Sequence, residues 1–138
     1  LFKKDSAGLS RIQIDHDCSQ EVRVEMDPTH LRQILWNLLL NAAEAIEGEG
    51  RITVETVPAR NKRVNVSVAD NGVGIPRERI DFIFDPFYTT KRSGTGLGLS
   101  IVHRILSYYN SRLDVESSPG GGTVFKFSLK VINPHKRN

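Results

Sequence analysis

Hydrophobic and polar residues alternate in several short stretches of this chain, and this alternation predicts β-strands. In "RVNVSVAD", residues 63–70, the valines at 64, 66 and 68 share one face of a two-residue period. The other alternating stretches are "RIQI" near the start, "VRVEM" at residues 22–26, "RITVETV", "RLDVES" and "TVFKFSLKV". We therefore predict six short strands.

Two segments follow a helical period instead. Asp27 is a candidate N-cap and Pro28 fits the first helical position, after which apolar residues recur to Ile46, where "EGEG" ends the helix. A second helix is expected from near residues 96–98 to Asn110, a residue that tolerates the left-handed conformation. The elements together predict an α+β fold: a two-layer α/β sandwich whose mixed, mostly antiparallel sheet packs on helices.

The connection over residues 71–96 is rich in Gly, Pro, Thr and charge, with one helical turn expected around residues 77–82. A long irregular connection inside a compact domain is usually a functional lid or disordered. We interpret this connection as a lid.

Composition narrows the partners. The chain has 138 residues, enough for one domain, and its net charge of +3 comes from scattered pairs such as Lys62-Arg63 and Lys91-Arg92. No basic stripe interleaved with aromatic residues is present, so no nucleic-acid partner is expected, although a small polyanion remains open. No apolar stretch approaches the length of a membrane span, so no membrane contact by this domain is expected. Cys18 is alone, which excludes an internal disulfide and favours a cytoplasmic location.

Asp70 raises a question, because its position in the alternation puts a carboxylate in line with the core. A buried carboxylate is costly unless hydrogen-bond donors meet it. Two interpretations stand at this point: Asp70 forms a turn with Asn71 and Gly72, or it binds a donor that enters the core there.

The first helix carries a polar stripe. Successive residues about 100° apart place His30, Asn37, Asn41 and Glu44 in one line. Apolar residues cover the rest of the helix, including Trp36, so we expect it to be mostly buried. Each asparagine would then cost roughly 1–3 kcal/mol if left unpaired. The stripe is either the water-facing side of the helix or a ligand site, and an asparagine oxygen is a suitable ligand for magnesium.

The segment "SGTGLGLS", residues 93–100, places Gly94, Gly96 and Gly98 just before the second helix. Glycine lets backbone N–H groups approach an anion closely, and a helix N-terminus carries about half a positive charge, so the segment suits a phosphate. The spacing fits neither the P-loop nor the dinucleotide fingerprint, and a flexible turn would also use glycine. Lys91, three residues upstream, is either a mobile cation for the phosphate or a solvated lysine.

Four motifs in this order, "LRQILWNLLLNAAEA", "DNGVGIP", "IFDPFYTTK" with "GTGLGLSIV", and "GGGT", resemble the catalytic, ATP-binding domain of bacterial sensor histidine kinases, which has the GHKL or Bergerat fold. The nitrogen-regulatory and pilus-type kinases, whose lid reads like "DPFYTTK", are especially similar. The resemblance covers about residues 9–131. We expect an ATP-binding domain at residues 9–132, a remnant of a linker or dimerisation helix at 1–8 and a tail at 133–138.

The resemblance implies ATP and Mg²⁺ as cofactors. It implies that Asn41 ligates the magnesium, Asn37 supports the phosphates and Asp70 accepts a hydrogen bond from the adenine amino group. Gly72 and Gly74 would shape the base pocket, and Thr123 would help to hold a water at the adenine. The implied set for the triphosphate is the glycine segment with its neighbours: Gly94, Thr95, Gly96, Leu97, Gly98 and Leu99, with Lys91 as a further phosphate contact.

Some positions depart from the family pattern. Many relatives carry Lys and then Tyr or Phe where this chain has Glu44 and Ala45, so Lys91 is the candidate for the cation near the phosphates. The second helix usually ends in a His-Gly-Gly-like turn, where this chain has "YYNSR". Hydrolytic relatives such as the gyrase and Hsp90 ATPases carry a Glu that activates water four residues before the metal-binding Asn. Here Asn37 occupies that place, which favours phosphoryl transfer over hydrolysis.

A phosphoacceptor is missing from the motifs. His16 precedes an acidic residue, but no proline follows it within a few residues, and the other histidines have no acidic neighbour after them. The expected function is transfer of the γ-phosphate of Mg-ATP to a histidine on a dimerisation domain outside this chain, with a response regulator receiver domain downstream. Anchoring of the longer protein in the inner membrane stays open at this point. The alternatives are a serine kinase of the anti-sigma type, a non-enzymatic ATP-gated interaction module and a ligand-free structural domain.

Overall fold

The computed structural model describes residues 11–18, 22–85 and 98–132, which form one sheet covered by helices. The elements in chain order are β1 (Ile12–Cys18), α1 (Pro28–Ala45), β2 (Gly50–Ala59), β3 (Arg63–Asp70), α2 (Arg77–Ile80), α3 (Gly98–Tyr108), β4 (Asp114–Ser117) and β5 (Thr123–Lys130). Within these ranges, no helix combines the length and the apolar character needed to cross a membrane.

The sheet has the strand order β1-β2-β3-β5-β4. β1 and β2 are parallel and are joined through α1, whereas the other three neighbouring pairs are antiparallel. The predicted α+β class, with a mixed and mostly antiparallel sheet packed on helices, is confirmed.

The core lies between one face of this sheet and the helices α1 and α3. Alternate residues of β3 and β5 face it, as the two-residue period predicts. Its most enclosed side chains come from both layers: Ile34, Leu38, Ile52, Val68, Val102, Leu106 and Phe125. Asp70 lies on the same face as the valines of β3 and is only 8% exposed, which confirms its predicted position in line with the core.

Helix α1 begins as predicted and is more exposed than predicted. The Asp27 carboxylate accepts a hydrogen bond of 2.8 Å from the backbone N–H of Thr29, and Pro28 follows in the first turn. The expectation that α1 is mostly buried is wrong, because Arg32, Gln33 and Trp36 form an exposed strip and Trp36 is 40% exposed. The residues that the structure describes form two layers, and none of their elements covers the side of α1 that faces away from the sheet and α3.

One predicted strand is also wrong. Residues 22–26 make only an isolated bridge, Val24 with Val131, flanked by hydrogen bonds from Glu25 N–H to the Lys130 carbonyl and from Ile132 N–H to the Arg23 carbonyl. The segment stays this short because the chain turns into the cap of α1 directly after it. The other predicted strands are present, and β1 and β2 extend further than their motifs, to Cys18 and Ala59.

The predicted helical turn in the long connection is α2, and α3 is followed by Asn110 with φ of 58°, the left-handed stop expected there. The described part of α3 starts at Gly98. The expectations for residues 1–10 and 133–138, the terminal remnant and tail, lie outside the described residues.

Candidate functional site

Three polar residues form a row across neighbouring strands at one end of the sheet. Asp70 ends β3 and pairs with Thr123 at the start of β5, and Thr123 pairs on its other side with Ser117 at the end of β4. Residues directly opposite in paired strands place their side chains on the same face, about 5 Å apart. Asp70 and Thr123 are 8% and 3% exposed, so the row brings two predicted site residues together inside the core face.

Ser117, which sequence analysis missed, connects this row to the neighbouring loops. Its Oγ accepts a hydrogen bond of 2.8 Å from Ile75 N–H and donates one of 2.9 Å to the Gly122 carbonyl. A third contact of 2.7 Å joins it to the Thr123 hydroxyl. Nothing local marks Ser117 in the sequence, where it is one of two adjacent serines before a turn. Its role appears only once β4 pairs with β5.

The Asp70 carboxylate is already engaged in a local turn. Its Oδ1 accepts a hydrogen bond of 2.8 Å from Gly72 N–H, so the interpretation of Asp70 as a turn former describes one of its contacts. A carboxylate has about four acceptor sites, so a turn bond does not by itself exclude a ligand. The two interpretations from the sequence are therefore compatible.

The loop after Asp70 is fixed to the end of α1. Val73 N–H donates a hydrogen bond of 2.9 Å to the Ala45 carbonyl, and Gly72 lies so close that an added Cβ would overlap that same carbonyl oxygen. Asn71 Oδ1 accepts from Arg51 N–H at 2.8 Å. Gly72 thus has a packing role in addition to any contact with a ligand.

Gly74 fixes the loop to the β4–β5 turn. Its φ is +78°, and an added Cβ would overlap the Ser118 carbonyl oxygen. Gly120 N–H donates a hydrogen bond of 2.8 Å to the Val73 carbonyl from the other side. The two loops that flank Asp70 and Thr123 are therefore held to each other by backbone contacts.

The stripe on α1 divides into two parts. Asn37 and Asn41 are half-buried, whereas Glu44 is exposed, so the water-facing interpretation fits only Glu44. The Asn37 amide donates a hydrogen bond of 3.0 Å to the Gln33 carbonyl, and its oxygen lies beside Gly98 at the start of α3, 3.4 Å from where a Cβ would stand. His30 is placed elsewhere, with its Nδ1 2.7 Å from the Tyr109 hydroxyl.

The remaining predicted residues divide by location. Leu99 is half-buried and packs against the core. Lys91, Gly94, Thr95, Gly96 and Leu97 lie outside the described residues. Among the residues that are described, no group of three or more His, Cys, Asp or Glu side chains could hold a metal ion. Asn41, which the resemblance assigns to magnesium, is half-buried on α1.

Comparison with known proteins matches this chain to one protein family and to several named kinases. A sequence profile described as "Histidine kinase-, DNA gyrase B-, and HSP90-like ATPase" matches residues 26–133. The chain is 46% identical over 114 residues to the sensor histidine kinase ZraS of Klebsiella oxytoca, covering 83% of this chain and 25% of that protein. It is 39% identical over 136 residues to the signal transduction histidine-protein kinase AtoS of Escherichia coli K12, covering 97% and 22%. The chain thus spans about a quarter of the length of these relatives.

Solved structures agree with this similarity. The catalytic domain of the histidine kinase ThkA superposes with a TM-score of 0.76 at 38% identity, covering 87% of this chain and 79% of that one. Full-length ShkA in complex with AMPPNP superposes with a TM-score of 0.79 at 32% identity, covering 88% of this chain and 26% of that one.

The contact between Gly74 and the Ser118 carbonyl can be tested against a glycine with the same backbone conformation. Gly120 has φ of +77° and nothing within 4 Å of an added Cβ, so Gly120→Ala should cost only the left-handed strain, about 1 kcal/mol. Gly74→Ala adds the overlap with Ser118, and we expect at least twice that loss of unfolding free energy. Urea denaturation of both variants measures the difference, and equal losses would contradict the contact.

Proposed function

The chain belongs to the family of histidine kinase-, DNA gyrase B- and HSP90-like ATPases, and we propose that it is the ATP-binding catalytic domain of a cytoplasmic sensor histidine kinase region. The resemblance to sensor kinases predicted from the motifs is confirmed by the family match and by the curated relatives.

The observation that carries the proposal is the buried pair Asp70 and Thr123. The Asp70 carboxylate accepts hydrogen bonds, the Thr123 hydroxyl has both a donor and acceptor sites, and the two lie side by side, buried on the core face. An adenine base fits this pair, because its flat ring buries apolar surface and its amino group donates to Asp70. Gly72 and Gly74 hold the adjoining loop against α1 and the β4–β5 turn, and we assign this loop as the edge of the proposed base site.

The phosphate end is proposed along α1 and at the start of α3. Asn37 lies beside Gly98, so the helix N-terminus and the asparagine stripe meet there, as a triphosphate site requires. Asn41 is one turn further along the same stripe, and we assign its oxygen as the protein ligand of Mg²⁺. The ion would neutralise charge on the phosphates, and Asn37 and the helix N-terminus would orient them. Lys91 and the glycines at 94 and 96 stay predictions for the same site.

Transfer is proposed rather than hydrolysis. Asn37 stands where the resemblance places the water-activating Glu of the hydrolytic relatives, and an amide cannot take a proton from water near neutral pH. Phosphoryl transfer needs mainly positioning and charge neutralisation, which these residues supply. The acceptor is proposed to be a histidine on a dimerisation domain of the longer protein, and the next acceptor a response regulator receiver domain.

Adenine recognition is tested by Asp70→Asn. The amide can keep the bond from Gly72 N–H, but its NH₂ group then faces the adenine amino group, donor against donor. Loss of a charge-assisted hydrogen bond predicts roughly 10- to 100-fold weaker binding of ATP, measured by calorimetric titration. Asp114→Asn, an exposed carboxylate on β4, is the matched control and should bind ATP normally. Unchanged affinity in a folded Asp70→Asn variant would refute the assignment.

Magnesium binding is tested by Asn41→Ala. ATP affinity is measured for the wild type and the variant in magnesium and in EDTA. We expect the wild type to bind ATP more tightly in magnesium than in EDTA. In the variant this magnesium-dependent gain in affinity should be about tenfold smaller, because removing the oxygen ligand leaves the ion held by phosphates and water. Asn65→Ala on the opposite face of the sheet is the control. A variant that keeps the full magnesium effect would show that Asn41 is not the ligand.

The transfer activity is tested by mixing this domain with the histidine-bearing region of its parent protein and radiolabelled ATP. We expect label on that region in a form that is lost in acid and stable in base, as for phosphohistidine. Acid-stable label would instead identify a serine kinase. ATP binding without any transfer would identify an ATP-gated interaction module, and no heat on titration with Mg-ATP would identify a ligand-free structural domain.

A further inference from the structure

The hydrogen-bond network at Ser117 determines which hydroxyl donates. A serine hydroxyl has one proton and two acceptor sites. At Ser117 the proton goes to the Gly122 carbonyl, 2.9 Å away, because a carbonyl can only accept. One acceptor site is taken by Ile75 N–H at 2.8 Å. The 2.7 Å contact with Thr123 therefore uses the second acceptor site, and the Thr123 hydroxyl is the donor.

The direction of this bond changes what Thr123 can offer to a ligand. Its only hydroxyl proton points to Ser117, so its oxygen is left as an acceptor. Thr123 stands directly beside Asp70 in the β3–β5 register, and the Asp70 carboxylate is also an acceptor. The row therefore presents acceptors, and no side-chain proton, to whatever lies over Asp70 and Thr123.

We propose that Ser117 is a specificity-determining positioning residue: by holding the Thr123 proton it keeps the pair Asp70 and Thr123 free of side-chain donors and selects purines with an amino group at position 6. This inference rests on the proposed nucleotide site and adds the reason for its choice of base. Ser117 touches Thr123 and the loops at Ile75 and Gly122, and it acts on the base through them.

The selection follows from matching donors with acceptors. The 6-amino group of adenine donates to this row. Hypoxanthine, in the same orientation, replaces the amino group by a carbonyl, so that position 6 sets an acceptor against the two acceptors of the row, while its N1 becomes an N–H donor on the neighbouring atom. A buried mismatch of this kind is more discriminating than a lost apolar contact, because the groups are left desolvated and unpaired. Without Ser117, the Thr123 hydroxyl can rotate and donate to that carbonyl.

The test compares the dissociation constants of ATP and inosine triphosphate, measured by calorimetric titration with magnesium. We expect the wild type to favour ATP strongly. In Ser117→Ala the affinity for ATP should fall about tenfold while that for inosine triphosphate changes less, so the preference narrows by at least about threefold. If Ser117 has a purely structural role, its loss would weaken the binding of both nucleotides equally. The ratio of the two dissociation constants would then be unchanged, which would overturn the proposal.

Control variants separate the remaining explanations. Ser111→Ala removes another part-buried hydroxyl, which donates at 2.7 Å to the Ser128 carbonyl, and should leave the ratio unchanged. In a Thr123→Val background, Ser117→Ala should have no further effect on the ratio, since the two residues act as one unit. If Ser117→Ala fails to fold, Ser117→Cys takes its place. The thiol keeps the side-chain volume and is only a weak hydrogen-bonding group, so this variant should also narrow the preference for ATP over inosine triphosphate. If the wild type binds neither nucleotide, the proposed function fails instead.

Discussion

The structure depends on the need to satisfy a carboxylate that β3 delivers into the core. The alternation that buries Val64, Val66 and Val68 carries Asp70 onto the same face at the end of the strand. A turn bond from Gly72 N–H meets part of this need. Thr123 stands beside Asp70 in the β3–β5 register, and in the proposed function the adenine amino group is a further donor to this carboxylate.

The elements around Asp70 are arranged so that this need is met in one place. The loop after β3 is attached to α1 through Ala45 and to the β4–β5 turn through Gly74 and Ser118. These are backbone contacts, so they hold whichever rotamers the surface side chains adopt. Preorganisation of this kind lowers the ordering cost of binding, because the loops are already in position.

Local patterns predicted much of the fold and part of the site. The position of Asp70, the Asp27 cap and the left-handed Asn110 all follow from residue types at fixed offsets. The pairing of β3 with β5 joins distant segments, and the register of the β4–β5 hairpin that sets Ser117 opposite Thr123 is not marked by residue type, which is why Ser117 was missed. The alternation of residues 22–26 predicted a strand, but pairing there stops at one bridge. The exposure of Trp36 depends on how many layers the fold has, which one helix cannot reveal.

Helix α1 sets the distance between the two ends of the proposed site. Asn41 lies on its polar stripe, and the Ala45 carbonyl one turn later holds the loop that follows Asp70. Four helical residues span about 6 Å, and one inserted residue would rotate everything beyond it by about 100°. An insertion or deletion between residues 41 and 45 would therefore disrupt the proposed site during evolution. The hairpin connection at residues 60–62 can lengthen without disturbing either end of that site.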